Sequence, residues 1–556
     1  MFAPIRAAAL ISSMLMLVAC EQQPAKNTHA MHEEKTVAPV PLYTDLGRYT
    51  HKISTSVPEA QAYFDQGIRE TFNFNHAEAI RSFEEAAKKD PNCAICWWGV
   101  AFAYGPNINM PMMDDASAPA VAAVKKAKDL APHASKAEQG YIAAMEKRYS
   151  SDPKADRDKL DKDFSAAMKQ LAASMPDDPD AQVFYVESLM DKSPWDYWEP
   201  NGKTLHPGLE DMIPTLERVM ARWPEHPGAL HLYIHAVEAS NDPKRAEAAA
   251  DKLRGMMPGA GHLVHMPGHI YNRVGRYADA LQVNLDAEVA DENFAAKSGQ
   301  HGLYSKMYYI HNMQFGTAAA TTDGQGAKAI AQARKALKHV DLGAAHDVPA
   351  VETVTPIVQV TLLRFGKFDE ALKEPAPDGK MRFSAAMYHY ARARAFAAKK
   401  DVIGAGLEQA ALKKYLNDPE YERFVDFGIP AKDMVALAER IVAGDIARMN
   451  GKIGDAVAAY REAAEIENGL PYTEPPFWDF PVQDTLGAAL LAAGKPAEAE
   501  MAFRESLKMW PDNGWSLFGL MKSLEAQQKT VEAKMTKAAF DKAWARADYQ
   551  PNLAFY

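Results

Sequence analysis

Two short stretches of this 556-residue chain carry the same histidine pair: HLYIH at 231–235 and HMPGH at 265–269. Residues four apart lie on one face of a helix, about 5–6 Å between Cβ atoms. His231 and His265 are 34 residues apart, and so are His235 and His269. Imidazole suits zinc, copper, iron and nickel, and pairs at this spacing are familiar metal ligands. His262 precedes the second pair, and YSKMYYIHNMQF adds His311 with Met307 four residues before it. A thioether beside imidazole would favour copper over zinc. Glu238 follows His235 by three residues and could serve as a further ligand or as an acceptor that orients one. Neither stretch is HExxH, because Leu232 and Met266 stand in the glutamate place. Pro267 and Gly268 threaten the second pair, since proline removes a helix donor and bends or starts a helix.

Three uses of these residues stay open. They could hold a metal, with His235 and His269 sharing it and His231 and His265 completing a nitrogen-rich set. They could donate to an anionic or peptide ligand. They could be structural, each imidazole satisfied by a neighbouring helix. In the metal case, affinity should weaken as pH falls through about 6.5, where free imidazole takes a proton.

The elements that carry the pairs repeat. Ala79, Phe83 and Ala86 follow one another at offsets 0, 4 and 7, as do Ala280, Asn284 and Ala287, and Ala499, Phe503 and Ser506. Gly67, Gly268 and Gly487 each stand 12 residues before the first alanine. Gly444, Ala456, Tyr460 and Ala463 mark another unit. Small residues let helices approach closely, and the large apolar residue fills the space between units. This pattern resembles the tetratricopeptide repeat, a 34-residue helix-turn-helix unit. The expected fold is all-α: a solenoid of stacked antiparallel helix pairs. No run of alternating β-branched residues argues for strands. Residues 105–225 read as helical but fit the repeat poorly. FNFNHAEAIRSFEEAAKKDPNCAICWWGVAFAYGPNIN and PPFWDFPVQDTLGAALLAAGKPAEAEMAFRESLKMWPDNGWSLFGL also resemble a group of bacterial repeat lipoproteins.

In the tetratricopeptide family, positions 2, 5 and 9 of the first helix line the concave groove. The resemblance implies that His231, His235, His262, His265 and His269 face that groove from two adjacent helices. A protein or peptide would be the partner there. His311 joins them if the longer turn before it keeps register. His389 is expected to be a satisfied, partly buried histidine.

The chain has three cysteines. Cys93 and Cys96 form a CxxC, read as a local disulfide, a soft-metal pair or two buried thiols. The methionines of NINMPMM (Met110, Met112 and Met113) read as loop packing or a soft-metal loop. Cys20 ends LVAC after an apolar run from Ala7 to Ala19, too short for a membrane span. It resembles the lipobox of bacterial lipoproteins, which implies acylation of Cys20 and an envelope address, weakly favouring the outer membrane. The expected domains are a signal peptide at 1–19, a polar tether at 20–44 holding His29 and His32, and helical lobes at 45–373 and 374–556.

Net charge is −11, and no long basic run occurs, which argues against a nucleic-acid binder. P-loop, dinucleotide-binding and GxSxG patterns are absent. The sequence therefore reads as a lipid-anchored repeat protein with a histidine-lined groove for a transition metal or a protein partner. A copper- or zinc-dependent enzyme and a pure scaffold are the alternatives.

Overall fold

The computed structural model describes residues 40–152, 154–299, 303–345 and 348–556. The signal peptide, Cys20, His29 and His32 lie outside them. Helices dominate, and among the described residues the only β features are isolated bridges at Asn107–Met110 and Trp198–Leu205. No described helix is long and apolar enough to cross a membrane.

The units lock by one device. Phe83, on the helix His76–Lys89, is wedged between Gly67 of Pro58–Phe72 and Gly99 of Ala94–Ala103. A Cβ at either glycine would come within 2.5 or 2.6 Å of that ring, so only glycine admits it. Phe503 repeats the wedge between Gly487 and Gly519, and Tyr460 packs on Gly444. Ala79, Ala280, Ala456 and Ala499, at the helix crossings, have no exposed surface. The fold is the stacked helix-pair solenoid that the 34-residue period predicts. Residues 105–225 are helical too, from Ser117–Leu130 to Met212–Arg222.

Two features depart from expectation. The last residues of the expected tether are packed: Tyr43 donates through its hydroxyl to Glu78 (2.8 Å), and Tyr63 donates to the carbonyl of Val40. The array also turns back on itself. Trp515 Nε1 donates to the Thr321 carbonyl (2.9 Å), Arg546 pairs with Asp323, and the Tyr277 hydroxyl donates to the Pro511 carbonyl. Both expected lobes accordingly wall one cavity of about 770 Å³.

A candidate metal centre

His231 and His235 lie on the helix Pro227–Glu238. His226 caps this helix: its Nδ1 accepts from the Ala229 N–H, and its Nε2–H donates to Asp180 (3.0 Å). Asp180 also accepts from Tyr49 and His51. His51, Asp178 and Asp180 are close enough to hold an ion. The two carboxylates already accept from Tyr49, Tyr141, His51 and His226, so this group serves as a structural anchor. No local motif in the sequence marks it, because His51, Asp178 and His226 lie far apart along the chain.

His262 and His265 lie on Gly261–His265, and His269 on Pro267–Arg273. Met266, between them, keeps helical angles, so Pro267 interrupts the hydrogen-bond ladder without turning the chain aside. The Leu263 N–H donates to Asn73, and the His262 N–H donates to the Tyr304 hydroxyl. Those bonds fix the helix start against the first unit and against Leu303–Thr322, which carries His311.

The six histidines meet, but not as one shared set. His235 and His269 are expected to share a metal, and with Glu238 they do form a group close enough to hold an ion. In the present arrangement their Nδ1–H groups both donate to the buried carboxylate of Glu238, His235 at 2.7 Å. Glu238 is therefore the orienting acceptor, and the two Nε2 atoms belong to different groups. One group is His231, His235 and His262; another is His265, His269 and His311; a third, His235, Glu238 and His269, joins them. Within each, the ligand atoms lie within 4.8 Å of one another.

Each Nδ1 partner fixes a tautomer. His231 Nδ1–H donates to the Phe72 carbonyl (2.8 Å), which leaves its Nε2 bare and 3.1 Å from His262 Nε2. His265 Nδ1–H donates to Asn284 Oδ1 (2.7 Å). The Asn284 amide is oriented by its own donation to the Ala280 carbonyl. So His265 Nε2 and His269 Nε2 present lone pairs to each other at 2.7 Å, with His311 Nε2 3.2 Å from His265 Nε2. Facing lone pairs repel unless a proton or a metal ion lies between them. His235 Nε2 and His262 Nδ1 are buried without a hydrogen-bond partner among the described residues. A buried polar atom left that way costs about 1–3 kcal/mol.

Charge makes the same demand. Glu238 is fully buried, and a buried carboxylate needs a nearby cation. Burial opposes its ionisation, but His269 and His235 outweigh it and hold Glu238 down to about 2. Burial pushes His231, His262 and His265 well below the ordinary imidazole value, and His311 to about 3. Burial lowers His235 too, although Glu238 pulls the other way. His269 alone of the six moves up: burial would lower it, but Glu238 overrides burial by charge and hydrogen bond.

Aromatic rings enclose the groups. Phe74 packs on His231, His235 and His262 with centroids 4.5, 6.1 and 5.3 Å away. Trp195 meets His235 at 5.1 Å, and Phe315 meets His265 and His269, both at 5.2 Å. Phe74 and Trp195 hold positive φ, 55° and 66°. Bulky residues rarely adopt that conformation, and such strain clusters at functional sites.

The cavity reaches this centre. His235, His262, His269 and His311 line it, with Met307 on the same wall. The loop 473–480 also lines it and brings Glu474, whose charge acts on His269, and Asp479; burial raises them to about 7 and about 6. Glu474 Oε1 accepts from the Tyr472 hydroxyl, while its buried Oε2 has no partner among the described residues. The Met-rich loop reaches the cavity through Asn109, which donates to the Tyr308 hydroxyl (3.2 Å), and not through its methionines.

Elsewhere, His389 Nδ1–H donates to Glu408 (2.7 Å). The Sγ atoms of Cys93 and Cys96 stand at bonding distance, with Cα atoms 5.4 Å apart. Thiol counting on the unreduced protein should accordingly find neither free; two reactive thiols would contradict the bridge.

The fold and this centre define a helical-repeat protein with a buried, histidine-rich core. No protein-family model and no curated protein matches the chain. Among solved structures it is similar to the human IFIT1 dimer with m7Gppp-AAAA at 12% identity and a TM-score of 0.31, covering 89% of this chain and 92% of that one. It is similar to yeast Tom70 at 13% identity and a TM-score of 0.29, covering 88% and 92%. Naa15/Naa10 bound to HypK-THB gives 12% identity and 0.22, covering 87% and 76%. Likenesses this distant carry no functional argument.

Proposed function

We propose that this protein is a metal-binding repeat lipoprotein of the bacterial cell envelope, holding a transition metal on its buried imidazoles. One observation carries the reading: His265 and His269 bring their Nε2 atoms to 2.7 Å of each other, a gap only a proton or a metal ion can fill, while Asn284 and Glu238 pin their far sides. Histidine ligands commonly donate their other ring N–H to a carboxylate or carbonyl in this way. Copper and zinc both suit an imidazole set, and Met307 on the cavity wall favours copper. The concave face of the repeats is the surface for a peptide or protein partner.

The test is the metal content of the purified mature protein beside a His235→Gln/His269→Gln variant. Stoichiometric metal in the parent and its loss from a variant of near-normal helicity is the expected pair of results. A metal-free parent whose double variant merely melts lower would make the histidines structural.

The cavity supports a second reading, metal-dependent catalysis. Catalytic metal sites keep an open position for water or substrate, and here four of the six histidines face a space that could hold a small molecule.

The address rests on the lipobox at Cys20. Cys20→Ala should move the protein from the membrane fraction to the soluble fraction. A variant that still sediments with membranes would remove the lipid anchor from this reading.

A further inference from the structure

The two histidine groups are copies of one arrangement. In the first, His231 is the middle ring, 4.9 Å from both His235 and His262, which are 6.0 Å apart. In the second, His265 is the middle ring, 4.6 Å from His269 and 4.8 Å from His311, which are 6.1 Å apart. Each group takes an i, i+4 pair from one unit and a single histidine from the next. The 34-residue repeat relates the two i, i+4 pairs; the single histidines, His262 and His311, are 49 residues apart and complete the likeness in space, not in register.

The copies also touch. His235 and His269 are 5.5 Å apart across the boundary, and His262 and His265 are 5.9 Å apart. These separations match those within each group. Glu238 spans the boundary, one oxygen to each side. The middle histidines are held back by Phe72 and Asn284, while the outer two of each group reach the cavity wall.

We infer that the centre holds two neighbouring transition-metal ions, three imidazoles on each, with the open coordination positions of both turned to the cavity. This rests on the metal-binding reading and adds number, adjacency and direction to it. Three imidazoles leave a fourth tetrahedral position free. Two such positions facing one space suit a small oxygen-donor ligand, such as hydroxide or a carboxylate, that bridges the ions. Paired ions of this kind act as a clamp on one bound group. Glu238 contributes one negative charge behind both sets, and Glu474, whose unpartnered Oε2 lies in the same cavity and whose charge acts on His269, is a second carboxylate available to the ions.

The experiment loads the metal-stripped, full mature chain with Zn(II) and counts ions per chain by native mass spectrometry. Two ions are expected in the parent. One is expected in His231→Gln/His262→Gln, one in His265→Gln/His311→Gln, and none when all four are changed. Loading with Cu(II) then tests adjacency: the doubly loaded parent should show a coupled or diminished paramagnetic signal, and each pair variant the signal of an isolated ion. A parent that binds one ion overturns the pair and leaves the metal reading standing. Two ions with undiminished isolated signals, or two ions retained by the fourfold variant, also overturn it. A parent that binds none removes both. The parent's count and spectrum decide the inference even where a variant loses helicity.

Discussion

Glu238→Gln should weaken metal binding about 10- to 100-fold, the usual cost of losing a partner that orients a histidine ligand. Both Glu238 oxygens receive an Nδ1–H, one from His235 and one from His269. Glutamine keeps one acceptor and replaces the other with a donor. One histidine would then face N–H against N–H and must turn or change tautomer, which moves its bare nitrogen away from the ion. The buried negative charge disappears as well. Because Glu238 stands behind both groups, the loss should appear in each ion's affinity by calorimetric titration with Zn(II). Parent-like affinity in a folded Glu238→Gln variant would mean that the carboxylate does not orient the ligands.

The second large effect is on pH. Free histidines would make binding fall steeply below about 6.5, as the sequence suggested, because several imidazoles would take protons together. The enclosed site changes that expectation. His231, His235, His262, His265 and His311 have lowered values, so they are already bare at neutral pH and stay bare as it falls. His269 is raised, so it keeps its proton to higher pH than a free imidazole and must release it to bind an ion. Affinity should therefore rise with pH, with about one proton released from His269 per chain loaded and a further share from Glu474, which burial holds at about 7 beside it, and level off above both. Competition titrations across that range, with proton release read in weakly buffered solution, measure the slope. Release of three or more protons would show that the imidazoles are solvated, contrary to the buried geometry.

Much of this centre was legible in the chain. The period of 34 placed the paired histidines in adjacent units, and Glu238 was marked by its spacing alone. His311 could be placed there only on condition that the longer turn before it kept register. What the sequence could not show was direction. Which ring nitrogen faces inward depends on the Phe72 carbonyl, Asn284 and a carboxylate shared between units. Those contacts split one apparent patch into two groups. One clue lay in plain view: Asn284 occupies the repeat position that Phe83, Tyr460 and Phe503 fill elsewhere. A polar residue in place of the interunit wedge is costly unless something needs its oxygen, and His265 does. The loop 473–480 was not legible as a cavity wall, because nothing local to it indicates which distant helices it faces.

The segment from Gly261 to Arg273 supplies His262 to one group and His265 and His269 to the other. A single residue inserted or deleted inside it, between His262 and His269, would turn the imidazoles on one side of the change by about 100° relative to those on the other. Such a change would dismantle both groups in one event, whereas the turns that flank the segment, at 254–260 and 274–276, can absorb a change of length. The segment is thus constrained as a ruler: the residue count between its histidines is fixed.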